Sequence, residues 1–218
     1  MTKRIFGLML VGLLLTGAGC ADSGPDSDTL ELEETPLNQG AGDQQGSAPQ
    51  QNQPTSMNDT NSQYEFPGKL PDEEIQDKQI RLETEKGDIV FELFPDTAPL
   101  AVSNMVYLTK EGFYDGLTFH RRVEDFVIQG GDPRGNGTGG PGYKFEDELD
   151  DDYSYDRGIV AMANSGPDTN GSQFFIMLAD NDLPKNYTIF GRVTEGMDVV
   201  DEIAIGDKMT NVSVEDKE

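Results

Sequence analysis

FHRRVEDFVIQGGD, residues 119–132, and MANSGPDTNGSQFFI, residues 162–176, decide how this chain is read. They set Arg121 and Arg122, Gln129 and Gln173, Asn164 and Asn170, and the rings of Phe126, Phe174 and Phe175 at fixed spacings. Neither stretch contains a thiol or a paired acid and base. That inventory suits holding and turning a chain rather than cutting a bond.

The flanking residues alternate at the period of strands. Gln79–Thr84 and Ile89–Leu93 surround the turn Glu85-Lys86-Gly87-Asp88 and predict a hairpin. Further strands are predicted at Leu117–Val123, Phe126–Gln129, Gly158–Ala163, Gln173–Leu178, Thr188–Val193 and Asn211–Val214. Asp96-Thr97-Ala98-Pro99 offers an N-cap with proline in the first turn; Ala101, Met105, Val106 and Leu108 then recur at helical spacing until Gly112. A second, short helix is predicted from Met197 to about Ile203. Eight short strands and two helices predict a mainly β fold: a closed eight-stranded antiparallel barrel capped by two α-helices.

Composition excludes several chemistries. With 41 acidic and 16 basic residues the formal charge is -25, which opposes binding to nucleic acid or to anionic lipid by charge alone. The same acidity predicts a solvated, repulsive surface, adaptation to a saline or alkaline exterior, and steering of basic polypeptides toward the protein. A single cysteine and a single histidine leave no intrachain disulfide and no zinc site built from several such ligands. Gly135–Gly140 fits G-x-G-x-x-G, but Pro141-Gly142 follows, so no helix is expected to receive a phosphate. The acid run Glu146–Asp152 lacks the spaced ligands of a calcium loop and is expected to be a solvated turn.

Lys3 and Arg4, the apolar run Ile5–Leu15 and the small residues Gly17-Ala18-Gly19 precede Cys20, the order of an export signal. The segment resembles a bacterial lipoprotein signal with Cys20 as the lipidated first residue, although Gly17 stands where leucine is commonest. Residues 1–19 are therefore expected to be a signal peptide and 20–66 an acidic, polar and disordered linker, since Ala21–Gln63 carries no lysine, arginine or aromatic residue. A folded domain is expected over 67–218, outside the cytoplasm and tethered to the bacterial membrane by its lipid.

The motifs resemble those of cyclophilin-type peptidyl-prolyl isomerases. The matching segments are Phe119-His120-Arg121, Phe126–Asp132, Gly135–Gly140, Met162–Pro167, Asn170–Ile176 and Tyr187–Gly191, in order between about Gln79 and Val214. The resemblance implies that Arg121 is catalytic and that Phe126, Phe175 and Leu183 wall a proline pocket, with Val127 where relatives often carry methionine. It implies that Gln129 and Asn164 hold the substrate backbone, that Ala163 and Gln173 line the neighbouring groove, and that Tyr187 sits at the rim. It implies no cofactor and no metal. Asp182 stands where many eukaryotic members carry tryptophan, which implies weak binding of cyclosporin.

Strand alternation places Arg122 and His120 on the face opposite Arg121. Arg122 is expected to be a solvated surface charge and His120 a structural hydrogen-bonding residue. The function implied is X–Pro rotamase activity that assists the folding of exported proteins. Its expected partners are proline-containing polypeptides and, through lipid alone, the membrane; a monomer is expected. The alternatives are a peptide-binding chaperone module with incidental isomerase activity and, more remotely, a carboxylate-based hydrolase.

Overall fold

A computed structural model describes residues 63–217. The signal peptide, the lipidation site Cys20 and nearly all of the expected linker lie outside those residues. Along the chain run α1 (Asp72–Ile75), β1 (Lys78–Thr84), β2 (Gly87–Leu93), α2 (Pro99–Lys110), β3 (Arg121–Val123) and β4 (Val127–Gly130). They are followed by β5 (Ile159–Met162), β6 (Phe174–Met177), β7 (Ile189–Glu195), α3 (Met197–Glu202) and β8 (Met209–Asp216). All strand pairs are antiparallel, in the order β3-β4-β6-β5-β7-β2-β1-β8.

The expected closed barrel is corrected to a curled, open sheet. Its edges are β3 and β8, and no strand ladder joins them. Residues 117–120, expected to be strand, form only one isolated antiparallel bridge, Thr118 with Lys208, at the entrance to β8. Backbone bonds lace this opening: Phe119 N–H donates to the Asp207 carbonyl, Gly206 N–H to that of Phe119, and Met209 N–H to that of Leu117, each at 2.9 Å. Edge groups that would otherwise stay unpaired are thereby partly satisfied.

Because side chains alternate across a pleated sheet, the fold carries two apolar clusters rather than one. Ile128, Val160, Met162, Phe174, Ile176 and Phe190 join β1, β2 and α2 in the main core. Their immediate neighbours Val127, Ile159, Ala161, Phe175, Met177 and Ile189 form the second cluster on the opposite face. Strands β5 and β6 are consequently buried at every position, which is why neither alternates in hydropathy.

Helix α2 is buried nearly all round. The segment before β1 covers its outer side: Leu70 N–H donates to Ser103 Oγ at 2.9 Å, and Lys110 pairs with Glu74. Tyr64 and Phe66 belong to this packing. Tyr64 meets Phe113 edge-on, and Phe66 stacks on Phe145 with ring centroids 4.8 Å apart.

The N-terminus of α2 is capped from a distance. Helix starts leave unsatisfied backbone N–H groups, and Ala98 at the cap position supplies no side-chain bond. Instead the Glu148 carboxylate accepts from Leu100 N and Ala101 N at 2.9 Å. The acid run 146–152 is therefore not the solvated turn expected of it. Asp147 accepts from Asn170 Nδ2 and from the backbone of Asp168, and Asp151, 1% exposed at its side chain, pairs with Lys185. Burial holds the Glu148 carboxyl above its usual range, against the pull of the two backbone donors. Glu148→Ala is expected to lower stability by about 2 kcal/mol, read as a lower urea midpoint at unchanged slope.

Arg122 is likewise corrected. It is half-buried, and its guanidinium donates to the carbonyls of Ile203 at 2.9 Å and Val200 at 3.5 Å while pairing with Glu124. A cation at the C-terminal end of α3 satisfies groups that the helix leaves open, so Arg122 pins the edge strand β3 to that helix.

Candidate active site

The second cluster floors a cleft, and strand register builds it. Arg121 on β3 is paired with Gln129 on β4, Gln129 with Phe175 on β6, and Phe175 with Ala161 on β5. One transverse row thus delivers a cation, an amide and an aromatic ring to the same face. Between β3 and β4 the chain turns through Asp125 at φ 54°, a left-handed conformation that aspartate tolerates better than branched residues. That turn brings Phe126 back beside Arg121, whose guanidinium carbon lies 5.9 Å from the ring centroid.

A cavity of about 230 Å³ lies here, lined by Arg121, Phe126, Val127, Gln129, Ala163, Asn164, Phe175, Leu183 and Tyr187. Of the expected site residues within the described range, only Gln173 is missing from this lining. It lines an adjoining cavity of about 660 Å³, which also touches Gln129, Ala163 and Asn164.

Gln173 connects the two. Arg121 Nη1 lies 3.4 Å from Gln129 Oε1, Gln129 Nε2 donates to Gln173 Oε1 at 3.0 Å, and Gln173 Nε2 donates to the Gly139 carbonyl at 2.8 Å. The relay ends on the glycine-rich loop, which is organised by Asp132. This carboxylate is 1% exposed and accepts from the backbone N–H groups of Arg134 at 2.7 Å, Asn136 at 3.0 Å and Gly137. Burial alone would raise its pKa, but the donated N–H bonds prevail and hold it below the usual carboxylate range. Glycine is required at 139, where a Cβ would stand 2.0 Å from Asp132 Oδ1, and at 131, where one would stand 2.3 Å from the Ser172 carbonyl.

The rim on the other side hangs on Tyr155, which the sequence did not single out. Its buried hydroxyl donates to the Tyr187 carbonyl at 2.9 Å and accepts from Tyr187 N–H at 3.1 Å. Tyr187 then meets Phe175 edge-on at 5.5 Å. Nothing in DDYSYDRG distinguishes Tyr155 from Tyr153 before the fold is known. Asp182 is exposed.

Asn164 has its side chain committed to the protein. Its Nδ2 donates to the Asn186 carbonyl at 2.8 Å, and its Oδ1 accepts from Gly166 N–H. What it offers a bound peptide is therefore its main chain. His120 departs from its expected hydrogen-bonding role: both ring nitrogens are buried without a hydrogen-bond partner among the described residues. Desolvation lowers its pKa, with the nearby Asp132 charge opposing, and the residue lies outside the cleft lining.

An exposed guanidinium over an apolar slot, flanked by amides and lacking a nucleophile, suits rotation about a bond already present. Residues 79–217 match the family model described as "Cyclophilin type peptidyl-prolyl cis-trans isomerase/CLD". The chain belongs to this family. It is 47% identical over 141 residues to "Peptidyl-prolyl cis-trans isomerase-like 1" of Homo sapiens, covering 62% of this chain and 85% of that protein. It is 48% identical over 135 residues to "Peptidyl-prolyl cis-trans isomerase" of Helicobacter pylori, covering 60% and 83%. A crystal structure of a cyclophilin type peptidyl-prolyl cis-trans isomerase from Cryptosporidium parvum superposes with a TM-score of 0.59 at 34% identity, covering 63% of this chain and 97% of that one. This cyclophilin is a peptidyl-prolyl cis-trans isomerase, and its substrates are proline-containing peptides.

Proposed function

We propose that Arg121 is the catalytic residue of this isomerase and that the smaller cavity holds the proline ring. The observation that carries this reading is the guanidinium held by Gln129 at the mouth of an apolar slot. Rotation about a peptide bond meets a barrier of ~18–20 kcal/mol because nitrogen shares its lone pair with the carbonyl. In the twisted transition state that lone pair returns to nitrogen. A guanidinium N–H then donates to it, a bond unavailable in the planar ground state, and such differential binding is what accelerates a reaction.

Phe126, Val127, Phe175 and Leu183 serve as walls that favour the ring and the less polar twisted amide. Gln129 and the main chain at Ala163 and Asn164 fix one side of the peptide while the other turns, and Tyr187 closes the rim. The reaction needs no cofactor or metal.

We further propose that the enzyme acts outside the cytoplasm, as a monomer held to the membrane through lipid on Cys20. There it hastens X–Pro steps that take tens of seconds unaided and would delay exported proteins. The support is the order of basic, apolar and small residues before the sole cysteine. Cells fed a lipid analogue are expected to label the wild-type protein and not Cys20→Ala, with proline-peptide isomerisation found in the membrane fraction of the former. Equal labelling of both would remove the anchor and leave the isomerase.

A further inference from the structure

The loop that carries two walls of the slot is tied down by a charge pair that catalysis does not use. Leu183 and Tyr187 line the slot from residues 181–187, which lie against the segment 151–155. At one end Asn181 N–H donates to the Tyr155 carbonyl at 3.0 Å, and at the other the Tyr155 hydroxyl engages both backbone groups of Tyr187. Lys185 ties the stretch between. Its ammonium turns inward to the Asp151 carboxylate and donates to the Tyr153 carbonyl at 2.7 Å. It also stands 6.0 Å from the centre of the Tyr155 ring. Tyr153 is itself fixed, stacked on Phe94 with ring centroids 4.4 Å apart.

Burial alternates along this loop as it does along a strand: Leu183, Lys185 and Tyr187 are half-buried, while Asp182, Pro184 and Asn186 are exposed. Lys185 therefore sits between the two wall residues and on their face, although it is outside the slot lining itself. A slip of one residue would turn Leu183 and Tyr187 to solvent. Stability alone does not call for a charge pair here. The Asp151 side chain is 1% exposed, and its Oδ2 has no hydrogen-bond partner among the described residues. Taking a carboxylate out of water costs free energy that one ammonium and the Tyr153 N–H, at 2.8 Å, only partly offset. An apolar pair of similar volume often serves stability as well; what charge adds is one permitted arrangement, because the pair is satisfied only where its partners meet.

We infer that Lys185 is a positioning residue for the isomerase reaction and determines its ring specificity: paired with Asp151, it fixes the register of residues 181–187 and so the width of the slot beneath Leu183 and Tyr187. The inference rests on the smaller cavity being the proline slot.

The test compares peptides carrying an alanyl-proline bond and an alanyl-pipecolate bond, whose ring is one methylene larger. Cis–trans exchange is followed by NMR over a range of peptide concentrations and expressed as acceleration over the uncatalysed rotation. Wild type is expected to favour proline by about tenfold or more, the worth of one methylene in a fitted apolar pocket. Lys185→Met is expected to narrow that preference to about threefold. It should also raise KM for the proline peptide about fivefold with kcat within about twofold, because a displaced wall weakens ring binding in ground and transition state alike. Asp151→Asn is expected to do the same, and the double variant no more, since both substitutions remove one contact. The double variant leaves no unpaired buried charge, so it carries the same readings if Lys185→Met does not fold. An unchanged KM and ring preference, effects of the two substitutions that add, or a loss confined to kcat would overturn the inference. Leu183→Ala separates the two ideas. If it too leaves the ring preference untouched, the slot assignment fails and the inference with it; if it blunts the preference and Lys185→Met does not, the role of Lys185 alone is overturned.

Discussion

Arg121→Ala is expected to lower kcat/KM for an X–Pro peptide by about 10²–10³-fold, the size found when a single preorganised donor to a transition state is removed. That loss is about 2.7–4 kcal/mol, a minority of the ~18–20 kcal/mol barrier. The remainder of the acceleration must come from the slot and from fixing the peptide backbone, so measurable turnover survives the substitution. Arg121→Lys is expected to recover little, because an ammonium cannot reproduce the planar fork that Gln129 orients from 3.4 Å away. A protease-coupled peptide assay reads both variants, and circular dichroism should show them folded, since Arg121 is exposed.

Asp132→Ala is expected to damage the enzyme without touching substrate. Removing a carboxylate that is 1% exposed leaves the N–H groups of Arg134, Asn136 and Gly137 without their acceptor, at a cost of about 3 kcal/mol. The loop carbonyl that positions Gln173 then loses its support, and with it the chain Gln173–Gln129–Arg121. Catalysis is expected to fall about tenfold, mostly in kcat, because misplacing a catalytic group carries a rate penalty. The pH dependence follows from the lowered pKa of Asp132. Its contribution to stability is present above the ordinary carboxylate range and is lost as pH falls through the depressed folded value. Wild type should therefore lose stability on acidification more steeply than Asp132→Asn, measured by urea unfolding across the acid range.

The strands were legible where one face meets water or the residues alternate, as in Gln79–Thr84. That Arg121, Phe126, Gln129 and Phe175 line one cleft was legible only through their motif, since a buried phenylalanine on a strand reads as core and Phe175 does floor the second cluster. The open edge was not legible, because Leu117–His120 has strand-like residues yet meets the start of β8 through a single isolated bridge and no ladder. Arg122 and Glu148 were misread for one reason: a charged residue looks solvated until the helix end that it caps is known, and both helix ends are remote in sequence. His120 was assigned a bond that the fold does not provide. Tyr155 and Asp132 act through what they hold in place, a role that becomes visible only in three dimensions.

Arg121 is expected to stabilise the twisted amide rather than the bound peptide. Equilibrium exchange spectroscopy by NMR on a proline peptide measures cis–trans interconversion on the enzyme and affinity in the same sample. Between wild type and Arg121→Ala, on-enzyme exchange is expected to slow by about 100-fold or more while affinity changes by no more than about threefold. Exchange unchanged in the variant, or exchange and affinity falling together by the same factor, would contradict it.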